Sequence, residues 1–198
     1  MKWFINLFKN KSQESSESYR KWSEGFDAYE IEKVLFSKRK AKDALQYFDK
    51  AIEIGFKNEV FEFRARCVQE LDYHYDAIAD FDEAIRLSSK DCNLYFSRSV
   101  SKGAIKEYIG EISDLKKAVE LSKENNELNR IYNDEAEKMG YKNGIAEMFQ
   151  MRLVSAELDL EFEKEEQKRM INASPKMKVI LEEMELKRTN LVKRRGNS

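Results

Sequence analysis

One proline and seven glycines stand in 198 residues, too few turn-formers for a sandwich or barrel that must reverse about every ten residues. All-β architecture is excluded. Cysteine is as scarce: Cys67 and Cys92 lie in helical surroundings without Cys-x-x-Cys spacing, so neither a disulfide framework nor a tetrahedral metal site is supported. A single histidine, His74, is a packing or solvent-facing residue in a turn region before it is a catalyst. The chain has no Gly-x-Gly-x-x-Gly, no phosphate loop, no Gly-x-Ser-x-Gly elbow and no His-Glu-x-x-His. Its many carboxylate pairs are the solvated faces of charged helices. The reading is therefore of a chain that is not an enzyme and carries no cofactor and no metal. No apolar run reaches the roughly 18 residues of a spanning helix, and no secretory signal is legible, so a cytoplasmic protein, at most peripheral to a membrane, is expected.

What is present is charge and helix-forming residues. Charged residues make up 37% and hydrophobic ones 41%, a balance suited to long helices with one apolar side. The expected class is all-α. The net charge is only −1, but it is unevenly spread. Residues 1–22 hold five Lys/Arg against two Glu, and residues 176–198 hold seven against three, which leaves −8 for the body between. Without interleaved aromatics or a nucleic-acid module, the basic tail is the solvated end of a helix, and nucleic acid is not an expected partner.

The body repeats. Residues 44–52 read ALQYFDKAI, residues 77–85 AIADFDEAI and residues 111–119 EISDLKKAV, with starts 33 and 34 residues apart. Each has a large apolar residue four places on (Phe48, Phe81, Leu115) and an Ala seven places on (Ala51, Ala84, Ala118). The same offset lays FEFRARCV at 61–68 over YFSRSVSK at 95–102, pairing Phe61 with Tyr95, Arg64 with Arg98 and Ala65 with Ser99. Each unit is a pair of helices joined by a short turn. The small residues have a mechanical reason, since helices approach to about 8–10 Å only where something small sits at the crossing.

This pattern resembles the tetratricopeptide repeat (TPR), a helix–turn–helix of about 34 residues. The resemblance implies a right-handed superhelical stack of TPR-like units with C-terminal capping helices. The repeats are read over about 25–57, 58–91 and 92–125. The middle one matches best, through Phe61, Ala65, Ala77, Phe81 and Ala84. The first puts Glu32 where a small residue belongs, and the third puts Glu111 in place of the first Ala of its second helix. Residues 126–170 read as a partial repeat, stopped at Gly140, followed by a long capping helix with Ile145, Phe149, Leu153, Ala156 and Leu160 on one side. Its charged end, 161–169, suits a polar outer face. Ser174 and Pro175 open a basic amphipathic helix within 171–198, carrying Met177, Ile180, Leu181 and Met184.

Residues 1–24 comprise an amphipathic segment, with Trp3, Phe4, Leu7 and Phe8 beside Lys2, Lys9 and Lys11, and a polar linker. It suits self-packing, a partner or a membrane interface. In the TPR family the first helices line a concave groove that holds peptides. Carried over residue by residue, the lining is Tyr29, Lys33 and Phe36, then Glu62, Arg66 and Gln69, then Phe96 and Val100. The function this implies is a non-enzymatic scaffold or adaptor that binds a protein or peptide in its groove, alone or as an oligomer. The alternative is a membrane-peripheral assembly factor localised by its N-terminal helix.

Overall fold

The computed structural model describes Arg20, Glu24 and residues 38–55, 60–172 and 175–189. Among these every regular element is a helix: α1 (Lys38–Glu53), α2 (Val60–Glu70), α3 (His74–Leu87), α4 (Cys92–Ala104), α5 (Tyr108–Ser122), α6 (Glu127–Lys138), α7 (Ile145–Asn172) and α8 (Pro175–Thr189). None is long and apolar enough to cross a membrane.

The helices pair for the reason the repeated pattern gives. Phe48, Phe81 and Leu115 are fully buried, and Ala51, Ala84 and Ala118 lie buried one turn beyond them. Ala65 and Ser99 are sealed at the facing positions of α2 and α4. One apolar cluster joins α1, α2 and α3 and takes in Leu94, with Phe48 and Phe63 stacked at 6.2 Å. A second gathers Cys92, Ala118, Val119, Leu121, Ala136, Ile145 and Phe149, and Leu115, Leu153 and Ala156 form a third beside it.

The turns inside the pairs are copies of one another. Asp72, Lys106 and Gly140 each adopt a left-handed backbone, with φ of 63°, 62° and 100°. The following N–H bonds a carbonyl five residues back in each case: Tyr73 to Val68 at 2.8 Å, Glu107 to Lys102 at 2.8 Å and Tyr141 to Ala136 at 3.0 Å. This is the Schellman closure, in which a left-handed residue lets otherwise orphaned helix carbonyls be satisfied. Only the third turn uses the residue that adopts this conformation without steric cost.

Between the pairs, arginine supplies a second fastening. Arg64 on α2 donates through Nε and Nη2 to both oxygens of Asp80 on α3, at 2.7 and 2.5 Å, and through Nη1 to Asp49 on α1 at 3.0 Å. Arg98 does the same one unit on, with Asp114 on α5 at 2.8 and 2.6 Å and Asp82 on α3 at 2.6 Å. Each guanidinium also lies over the ring three residues before it, Phe61 or Tyr95. A planar fork that grips one carboxylate with two bonds and reaches another is a task for Arg and not for Lys.

The order changes after α5. Earlier the first helix of a pair lies along the second helix of the pair before it, as α4 lies along α3. Here α7 lies along α5 instead, and α6 touches α5 near its end, where Asn129 Nδ2 donates to Leu121 O at 2.7 Å. The misfit Glu111 explains part of this. It is fully buried, it lies against Gly103 of α4, and Arg152 of α7 reaches in to pair with it. The charged run 161–169 is largely exposed, as the outer surface of a cap requires. On α8, Val179, Ile180 and Met184 remain exposed and Leu181 is half-buried.

Candidate functional site

The expected groove residues fall on α2 and α4, except Tyr29, Lys33 and Phe36, which lie outside the described residues. Gln69 joins the two helices: its Nε2 donates to Ser97 O at 2.9 Å and to Ser101 Oγ at 2.7 Å. His74 Nδ1 meets the same hydroxyl at 3.4 Å, and burial lowers the pKa of that ring, opposed by nearby Asp72. One helical turn before Gln69, Arg66 donates through Nη2 to Glu62 at 2.8 Å, a pair at i,i+4 spacing that is largely shielded from water. Phe96 stacks on Phe149 with ring centres 4.7 Å apart, so this ring is engaged by the fold. Val100 is exposed.

Beside Glu62 and Arg66 the structure sets two residues that the sequence reading does not select. Asp91 caps α4, accepting from Asn93 N at 2.9 Å, and Tyr132 of α6 donates its hydroxyl to the same carboxylate at 3.2 Å. Burial pushes Asp91 up to about 6, and the charge of Glu62 adds to the shift while these hydrogen bonds and Arg66 oppose it. Burial, reinforced by Asp91, also pushes the Tyr132 hydroxyl upward. An Asp just ahead of a helical run is a readable capping signal. Tyr132 reaches it from 41 residues on and leaves no local trace.

Chemically, the arrangement suits binding. Cys92, next to Asp91, donates to Asn129 Oδ1 at 3.3 Å, and burial pushes its thiol up to about 12, which removes it as a nucleophile at neutral pH. Among the described residues no group of His, Cys, Asp and Glu is arranged to hold a metal ion. What remains is a shielded ion pair, a carboxylate of raised pKa and an exposed valine.

No family model and no curated protein matches the sequence. Among solved structures, the chain is similar to the type III secretion translocator chaperone SycD of Yersinia enterocolitica, described as an alternative dimer. The TM-score is 0.56 at 17% identity, over 76% of this chain and 99% of that one. The likeness is one of fold: this chain is an all-α stack of TPR-like helix pairs.

Proposed function

We propose that the chain is a non-enzymatic TPR adaptor, which holds a partner peptide or protein on the concave face of its first helices. Glu62, Arg66 and Val100 supply the contacts on α2 and α4, Gln69 and Phe96 fix the spacing of that face, and Tyr29, Lys33 and Phe36 extend it. The observation that carries the reading is the juxtaposition of the Arg66–Glu62 pair with Asp91, charged groups already stripped of much of their water. Such groups lose little more on meeting a partner, so a new hydrogen bond to them contributes more than one at a fully hydrated rim. That a protein of like fold is a chaperone supports a protein as the thing bound.

The test is a displayed peptide library selected on the full chain, with the winners measured by titration calorimetry. Arg66→Gln and Val100→Ser should each weaken the selected peptides by about 1–3 kcal/mol, the ordinary loss at an interface anchor, with melting temperatures nearly unchanged. Removal of residues 1–11 should leave that affinity intact. Peptides that ignore both substitutions but are lost with residues 1–11 would make the N-terminal segment the recognition element and overturn the reading.

A further inference from the structure

α7 is apolar on two opposite sides. Ile145, Phe149, Leu153 and Ala156 are buried against the rest of the stack. Met151, Val154, Leu158 and Phe162 are 61, 49, 60 and 62% exposed. At about 100° per residue the second set runs as one stripe on the side facing away from the first, over a length of about 16 Å. A helix with two apolar sides belongs inside a stack, covered on both, as α5 is between α4 and α7. Among the described residues one cover is missing. Isolated exposed apolar residues need no explanation, but an aligned stripe does. α8 does not supply the cover, since the stripe stays open beside it and, Leu181 apart, the large apolar residues of α8 themselves stand 45–63% exposed.

The charge around the stripe states what kind of cover fits. Residues 157–166 hold six acidic side chains and one Lys. Glu157, Glu163 and Glu165 have partners in Lys116, Lys106 and Lys168. Of the other three, Glu161 borders the stripe on one side and Asp159 and Glu166 on the other, by the same helical spacing. Two copies packed through this face would set these carboxylates against one another, and like charges along a helix seam oppose pairing. A helix with an apolar stripe flanked by Lys or Arg would bury the four side chains and meet both acidic borders. We propose that the outer face of α7, from Met151 to Phe162, is a docking surface for a basic amphipathic helix of a partner protein. It is separate from the groove of α2 and α4.

The test uses the full chain and a fluorescent amphipathic helix built of Leu and Lys, followed by anisotropy. Its Leu/Glu twin and a Leu/Lys scramble without an apolar face serve as controls. The amphipathic Leu/Lys helix should bind, more weakly as salt rises, and neither control should. Leu158→Ser with Phe162→Ser should weaken it by at least about tenfold, as loss of central anchors does. Glu161→Lys with Glu166→Lys should weaken it and flatten its salt dependence. Ile109→Ser, at a position 77% exposed on α5, should change nothing. Equal binding of the scramble, or indifference to the α7 substitutions, overturns the proposal. So does sedimentation of the chain alone as a dimer that Leu158→Ser dissociates, since a second copy would then be the cover.

Discussion

Gly103 and Glu111 should behave as one unit in stability measurements. A Cβ built on Gly103 lies 2.6–2.8 Å from three atoms of the Glu111 carboxylate, closer than van der Waals contact allows. A carboxylate at the end of a long side chain normally swings away from such a clash. This one is fully buried and held by Arg152, so moving it breaks an ion pair inside the protein. Gly103→Ala should therefore bear an overpacking cost of about 1–3 kcal/mol. Gly103 lies in the last turn of α4, so the gain from replacing it is at most the mid-helix figure of about 0.5–1 kcal/mol and offsets only part of that cost. With Glu111→Ala in place the clash is gone and the new methyl enters vacated space, so Gly103→Ala should then stabilise, by up to about 0.5–1 kcal/mol. The coupling between the sites should come out at about 1–3 kcal/mol, the range for residues in contact. Urea melts of the wild type, both single variants and the double variant, followed by circular dichroism, give this number directly. If Gly103→Ala shifts stability equally in both backgrounds, to within about 0.5 kcal/mol, the contact does not decide the residue at 103.

Two further outcomes follow from the charged groups. Asp91 ionises near 6 in the folded chain against 3.8 ordinarily, so between those values the native state holds the extra proton and stability falls as pH rises through them. Asp91→Asn keeps the cap and an acceptor for Tyr132. Its stability advantage over wild type should widen from about pH 4.5 to 7, toward a ceiling of about 3 kcal/mol at 1.36 kcal/mol per unit, whereas a gap constant with pH contradicts the assignment. Arg98→Ala should cost near the lower end of the roughly 3–5 kcal/mol seen when one partner of a buried pair is lost, because Lys102 still stands 3.0 Å from Asp114. Arg98→Lys should recover only part of that, and a loss under about 1 kcal/mol in urea melts would show the clamp to be idle.

The helix pairing was legible because it depends on local spacing. Phe48, Phe81 and Leu115, and the alanines beyond them, lie where a stack of paired helices requires them. The match of Arg64 with Arg98 was legible as register, but its cause was not, since Asp49, Asp80, Asp82 and Asp114 show their partner only when neighbouring helices are in place. Glu111 read as a lapse from the family pattern. Its compensation is divided between Gly103, eight residues earlier, and Arg152, 41 residues later, and no window of helical length contains both. For the same reason a family position could assign Gln69 and Phe96 to a face but could not say that Ser97, Ser101 and Phe149 engage them. The path of α7 along α5 likewise depends on burial from both sides, which one helix's periodicity does not report.

The arginine clamps carry a grammar of assembly. The incoming arginine of each pair needs an aspartate on the pair before it: Asp49 receives Arg64 and Asp82 receives Arg98. The residue at the next such position is Lys116, which faces Glu157 of α7 at 3.6 Å, so the polarity of the junction is reversed there. In polymer terms α2–α3 is a propagating monomer, able to join another copy of itself because it carries both the arginine and the receiving aspartate. α4–α5 is a terminating monomer, whose lysine would repel the next arginine. Tandem copies of residues 58–91 spliced in after themselves should lengthen the rod with every clamp matched, whereas copies of 92–125 would set Lys116 against Arg98 at each new joint.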